Sequence, residues 1–228
     1  MDSRVLKLWY AQINAEETDY QHNWEIIDQS ERQHASDLKN KQLHYRYVEI
    51  HARLRILLAE ILNVNPAQLR IHKTEHGKPY LFDYPDLKFN LSHTSDKMLV
   101  AIGWNRDLGV DIEVHKPRAN LAALVEKCFA DEEKHYWQNL PESEKTPAFY
   151  RFWTHKEAFV KATGRGIALG LNRCVINPKN PTKLLRIPLE YGSPCAWFLH
   201  ELALGADMSA SLAIKSKDGI ELEIIKLA

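Results

Sequence analysis

Leu108-Gly109-Val110-Asp111-Ile112-Glu113-Val114 is the stretch on which the fold turns. Its high β content follows a second β-rich run, Met98 to Trp104, and only Asn105-Arg106-Asp107 separates them. Two such runs around a short polar turn predict an antiparallel hairpin. Side chains alternate along a strand, so Val110, Ile112 and Val114 share one face, and Asp111 and Glu113 the other. Upstream, Val5 to Ile13 and Phe89 to His93 read as strands, Arg70 to Lys73 as a short one, and Trp24 to Leu38 as a helix. Gln42 to Leu62 is the clearest helix: Tyr47, Ile50, Leu54, Leu57, Leu58 and Ile61 recur at spacings of three and four. Asn63-Val64-Asn65-Pro66 stops it. Downstream, helices are expected over Ala119 to Phe129, Asp131 to Trp137 and Pro147 to Thr163, the last ended by Gly164-Arg165-Gly166. From Leu184 onward the chain is strand-like, with turns at Gly192-Ser193-Pro194 and Lys217-Asp218-Gly219. Helices mixed with antiparallel strands give the α+β class.

The 228 residues carry 30 Lys+Arg against 30 Asp+Glu, a formal net charge of zero. With 45% hydrophobic and 26% charged residues the composition is globular, which excludes a disordered chain. The charge balance lacks the basic footprint of a nucleic-acid binder, so no nucleic-acid partner is expected. No apolar run approaches the roughly 18 residues of a membrane helix, and the acid at Asp2 with no long apolar core after it argues against a signal peptide. Cys128, Cys174 and Cys195 are odd in number and form no CxxC, so neither a disulfide framework nor a zinc cage is suggested. The cytoplasm is the expected compartment, without membrane attachment.

Asp111 and Glu113 lie roughly 7 Å apart on one strand face, and each disfavours ionisation of the other. A divalent cation would relieve that, and hard oxygen ligands suit Mg²⁺; a solvated acidic face fits the same spacing. On the expected helix after Pro147, Glu157 and Lys161 are i,i+4 neighbours in the favourable order. An ordinary surface ion pair would look the same, but the density of Phe149, Tyr150, Phe152, Trp153 and Phe159 around them points to burial and a need for partners. Lys78 in the Gly77-Lys78-Pro79 turn and Ser92-His93 at a strand end are plausible phosphate contacts. A Ser-His hydrolase dyad is disfavoured, since neighbours in sequence rarely face each other and no G-x-S-x-G elbow occurs.

Taken in order, Gly77-Lys78-Pro79, Phe89 to His93, Gly109 to Glu113 and Trp153 to Gly166 resemble the 4′-phosphopantetheinyl transferase superfamily, in its long, surfactin-synthetase-activator type. The match runs from about Ser30 to Gly170. The resemblance implies a pseudo-dimer of two similar α+β halves, residues 1–105 and 106–228, with the active site in the cleft between them and a monomer in solution. It implies transfer of the phosphopantetheine arm of coenzyme A to a serine of an apo carrier protein, a holo-acyl-carrier-protein synthase activity, with Mg²⁺ required and adenosine 3′,5′-bisphosphate released.

Residue by residue, the resemblance makes Asp111, Glu113 and Glu157 the metal ligands, with Glu157 also the base, directly or through a metal-bound water, and Lys161 beside the phosphate under attack. Lys78, Pro79, Ser92, His93 and Lys73 fall at the diphosphate. Arg46 falls where such enzymes place an arginine against the 3′-phosphoadenosine. Where relatives often carry a further basic pair, this chain has Glu31 and His34, so either Arg32 substitutes or the grip on the 3′-phosphate is weaker here. An acidic carrier helix would need a local patch, for which Lys116-Pro117-Arg118 and the Cys128-Phe129 loop are the candidates. Two other classes fit parts of the pattern. A Mg²⁺-dependent phosphohydrolase could use the same carboxylates, and a noncatalytic module could bind CoA or carriers; the latter predicts loss of Asp111, Glu157 or Lys161, and all three are present.

Overall fold

A computed structural model describes residues 5–216 and 221–227. In chain order the elements are β1 (Val5–Gln12), α1 (Tyr20–Ile26), α2 (Gln29–Asp37), α3 (Lys41–Leu62), β2 (Ile71–Lys73), β3 (Pro79–Leu81), β4 (Leu87–Thr94) and β5 (Lys97–Trp104). There follow β6 (Leu108–Val114), α4 (Leu121–Cys128), α5 (Asp131–Gln138), α6 (Glu142–Thr163), β7 (Val175–Ile176), β8 (Leu184–Arg186), β9 (Trp197–Glu201), β10 (Met208–Lys215) and β11 (Glu221–Leu227). The expected Lys217-Asp218-Gly219 turn lies outside the described residues.

The two halves repeat one plan. A strand leads to a 22-residue helix, α3 or α6. Then come a two-stranded ribbon (β2–β3 or β7–β8) and an antiparallel pair. The main sheets have matching orders, β1-β5-β4 in the first and β6-β10-β9 in the second. β11 returns to the first sheet and runs parallel to β1. The fold is α+β, and the sheets meet through Leu6, Leu8, Leu99 and Ala101 on one side and Val110, Ile112, Leu212 and Ile214 on the other, all buried. α3 covers the other face of the first sheet, where Ile50, Leu54, Leu57 and Leu58 meet Phe89, Val100 and Ile102. α6 does the same for the second half with Phe149, Phe152 and Phe159.

The expected hairpin does not form. A strand has two hydrogen-bonding edges, and β5 uses one on β1 and the other on β4. β6 therefore pairs with β10 in the other sheet. The short link between them is pinned to different neighbours at its two ends: Asn105 N–H donates to Asp86 O (2.8 Å), and Asp107 O accepts from Lys215 N–H (2.9 Å). Asn105 adopts a left-handed φ of 52° to make the change of direction. The link joins sheets rather than strands of one sheet.

The expected Trp24–Leu38 helix is two helices. Asp28 stands in an extended conformation between them and accepts from the Glu31 N–H, while the Glu31 carboxylate accepts from the Asp28 N–H, a reciprocal cap that starts α2. α6 begins at Glu142, ahead of the expected Pro147, which it carries internally. The acidic face of β6 is only partly solvated, with Glu113 half-buried. Only 5% of Asp111 is exposed, because the sheet's second face lies against α6.

Candidate active site

β4 lies alongside β6 without a backbone ladder between them, and polar side chains bridge the two. Asn90 Oδ1 accepts from Val110 N–H (2.8 Å), Ser92 Oγ accepts from Ile112 N–H (3.3 Å), and Thr94 Oγ1 donates to Glu113 Oε2 (3.2 Å). Residues 90, 92 and 94 share a face because strand side chains alternate. The polar Asn90-Leu91-Ser92 segment thus joins the two halves at the edge of the acidic strand.

Gly109 lets α6 approach β6. A Cβ there would lie 2.2 Å from Ala158 O and 2.4 Å from Ala162 N, so no other residue fits without moving the helix. Lys161 is brought onto Asp111 by this approach: its ammonium donates to Asp111 Oδ1 at 2.6 Å and to Ser92 Oγ at 2.9 Å. Ser92 in turn donates to the same Asp111 oxygen at 2.8 Å. Asp111 Oδ2 is buried and has no hydrogen-bond partner.

Charge accumulates here. Burial, then repulsion from Asp111 and Glu113, pushes the Glu157 carboxyl up to about 7, with Lys161 opposing. Burial and the Asp111 charge likewise raise Glu113, against the Thr94 hydrogen bond. A free buried carboxylate oxygen beside two carboxyls driven towards protonation fits a hard divalent cation, and Asp111, Glu113 and Glu157 are the residues that would hold it. Among the described residues no three acidic, histidine or cysteine side chains are drawn close enough to enclose a metal as they stand. One Asp111 oxygen is occupied by Lys161 and Ser92.

The remaining candidates divide. Arg46 and His93 line one cavity of about 330 Å³ with His34, Tyr47 and His51. The Arg46 Nε is buried there without a partner. Loss of water around the His93 ring lowers its pKa, and the charges of Lys161, His51 and Arg46 add to the effect. Pro79 shares a recess of about 230 Å³ with Lys161, Leu91 and Gly164. Lys73 is exposed on β2 opposite Pro79, and no described contact ties it to the acidic cluster.

Three expectations are corrected. Lys78 is not presented as a free phosphate contact: its ammonium donates to Leu108 O (3.1 Å) and Ala162 O (2.8 Å), capping α6 from the other half. Burial lowers its pKa to about 8. Arg32 does not replace a missing basic pair, because its guanidinium reaches back to Trp24 O (2.9 Å) and Glu25 O (3.2 Å) on α1. Glu31 is a structural acid, bonded to Arg55 (2.6 Å) and His51 (3.1 Å). Phe129 is core against Phe149 and Phe152 rather than part of a surface patch, and Cys128 is buried beside it.

Sequence reasoning passed over Lys156. It is fully buried, 2.7 Å from the equally buried Glu133, and it also donates to the carbonyls of Leu171 and Cys174. The only available signal was its place among aromatic residues, which does not separate it from its neighbour Glu157.

Residues 107–214 match the family model described as the 4′-phosphopantetheinyl transferase superfamily, and residues 11–104 match 4′-phosphopantetheinyl transferase, N-terminal. The chain is 31% identical over 216 residues to 4′-phosphopantetheinyl transferase HetI of Nostoc sp. (strain PCC 7120), covering 93% of this chain and 88% of that one. It is 26% identical over 202 residues to 4′-phosphopantetheinyl transferase ffp of Bacillus subtilis, with 88% of each chain covered. Against 4′-phosphopantetheinyl transferase Sfp of Bacillus subtilis (strain 168) it is 27% identical over 161 residues, 70% of each chain. Shared sequence along nearly the whole chain, together with an acidic strand and a lysine-bearing helix brought together at the junction of two like halves, leads to one assignment: this protein belongs to the 4′-phosphopantetheinyl transferase superfamily.

Proposed function

We propose that the protein moves the 4′-phosphopantetheine arm of coenzyme A onto a serine hydroxyl of an apo acyl or peptidyl carrier protein, a holo-acyl-carrier-protein synthase activity dependent on Mg²⁺. The observation that carries this reading is the meeting of Lys161, Asp111 and Ser92 within hydrogen-bond distance, with Glu157 one helical turn before Lys161. The carrier's serine oxygen forms a bond to the β-phosphorus of CoA. The bond from that phosphorus to the bridging oxygen breaks, and adenosine 3′,5′-bisphosphate leaves. A neutral serine needs a base within reach, and the Glu157 carboxylate, one helical turn from Lys161, takes the serine proton directly or through a water. Lys161 keeps a cation beside the phosphate, where negative charge develops.

Arg46 and His93 hold the CoA phosphates from their shared cavity, and Pro79 shapes the recess leading to Lys161. Lys73 adds a cation at the outer rim. Asp111, Glu113 and Glu157 would hold the Mg²⁺, which would offset the charge of the diphosphate. In this reading the halves are residues 1–105 and 106–228, and the protein works as a cytoplasmic monomer with one site. None of the helices among the described residues is long and apolar enough to cross a membrane.

The test is incubation with CoA, Mg²⁺ and a panel of apo carriers, read by intact mass. Addition of one phosphopantetheine mass to a carrier supports the transferase. Release of phosphate or nucleotide without any carrier supports a phosphohydrolase, and CoA binding without either product supports a binding module.

A further inference from the structure

Ser92 has no hydrogen-bonding capacity left for a cofactor. A serine hydroxyl offers one donor and two acceptor positions. The donor goes to Asp111 Oδ1 at 2.8 Å, and the acceptors take Lys161 Nζ at 2.9 Å and Ile112 N–H at 3.3 Å. The residue is only 5% exposed. A phosphate oxygen could reach this hydroxyl only by breaking one of three bonds to protein.

Those bonds decide the shape of the acidic cluster. Two donors converge on Asp111 Oδ1, which fixes the rotation of the carboxylate and leaves Oδ2 as the buried oxygen without a partner. Lys161 is held from two sides, by the oxygen of Asp111 on β6 and that of Ser92 on β4. One hydroxyl from the first half therefore sets the orientation of two groups in the second. Removing it would leave the Ile112 N–H unpaired, free the Asp111 carboxylate to turn, and leave Lys161 with a single partner.

We propose that Ser92 is a positioning residue that orients Asp111 and Lys161 across the junction of the halves and takes no direct part in holding CoA. The inference rests on the proposed transferase reading for its activity arm alone. Its neighbour His93, on the opposite strand face, is the member of the Ser-His pair that meets the cofactor cavity.

The experiment compares the full-length wild type with Ser92→Ala and the hydroxyl-retaining Ser92→Thr. Turnover is measured with CoA and an apo carrier. The acidic cluster is probed separately with Mn²⁺ alone, titrated without substrate and followed by its spin-resonance signal. Ser92→Ala is expected to lower kcat by about 10- to 100-fold and to weaken Mn²⁺ binding by a similar factor, as for other residues that orient metal ligands. The KM for CoA should stay within about twofold, and Ser92→Thr should recover both losses. A rise of about tenfold in KM with kcat retained would make Ser92 a CoA ligand and overturn the proposal. Unchanged kcat and Mn²⁺ affinity would also overturn it, reducing the residue to a stitch between strands. If Ser92→Ala does not fold, Ser92→Cys, similar in volume but weak in hydrogen bonding, takes its place with the same outcomes. A wild type that binds Mn²⁺ through a Ser92-dependent site yet modifies no carrier would sink the transferase reading and leave the positioning role standing.

Discussion

The α-carbon of Gly109 faces the carbonyl oxygen of Ala158 so closely that a Cβ on the glycine would lie 2.2 Å from that oxygen. Strand and helix touch backbone to backbone at this point, and the approach places Lys161 on Asp111. Gly109→Ala should therefore separate α6 from β6. Overpacking of this kind costs about 1–3 kcal/mol, occasionally more. A lowered midpoint in urea unfolding, together with a fall in turnover, is the expected result; an alanine variant of wild-type stability would remove the close approach from the account.

Lys156 and Glu133 form a pair with neither side chain exposed. Truncating one member of such a pair strands a charge in the interior, at about 3–5 kcal/mol. Lys156→Ala should unfold at much lower denaturant than wild type. Replacing both residues together by leucine or methionine should recover much of the loss.

Asp111→Ala and Glu157→Ala should each reduce carrier modification by about 10²–10³-fold or more, since each removes a carboxylate proposed to hold the Mg²⁺ that would offset the phosphate charge. Glu113→Ala should be milder, because one Glu113 oxygen is already engaged by the Thr94 hydroxyl and water can take its place. Intact-mass assays on folded variants decide this. If Asp111→Ala retained most of its Mg²⁺-dependent activity, the assignment of the acidic cluster would be wrong.

Glu157 gives a pH dependence of definite sign. Its pKa is raised from 4.5 to about 7 in the folded, metal-free protein. The unfolded chain ionises this group near the lower value and the folded protein near the upper one. Its favourable contribution is full below pH 4.5, declines as pH rises, and is gone above about 7. The stability difference between wild type and Glu157→Gln, followed from about pH 4 to 8 by urea unfolding, should shrink or reverse in that direction. Mg²⁺ should flatten the dependence, since a bound cation favours the ionised carboxylate.

Arg46→Ala should raise the KM for CoA more than that for dephospho-CoA, which lacks the 3′-phosphate. Losing a charge-assisted hydrogen bond costs about 1.5–3 kcal/mol, or roughly 10- to 150-fold. Equal effects on the two substrates would detach Arg46 from the 3′-phosphate.

Much of this was legible along the chain. The stripe from Tyr47 to Ile61 specified α3, since periodicity is local and reports one buried face directly. Alternation placed Asp111 and Glu113 on the face opposite Val110 and Ile112, and that face is the one turned to α6. The start of α2 was missed because its signal is the Asp28 carboxylate bonding forward to the Glu31 N–H, which reads in sequence as an uninterrupted polar helix.

Short-range periodicity and residue type suffice for the α+β class, the long helices and the identity of the acidic and basic groups, so these could be read before any coordinates. Partners are another matter, because they come from segments far apart in the chain. β5 and β6 look like a hairpin until β1 and β4 are seen to fill both edges of β5. Lys78 looks like a phosphate ligand until the carbonyls of Leu108 and Ala162 are found around its ammonium. Ser92 acquires its role from Asp111, 19 residues away, and Lys161, 69 residues away. Hydrogen-bond capacity is a local property of a side chain, but the atoms that fill it are brought there by the packing of distant segments.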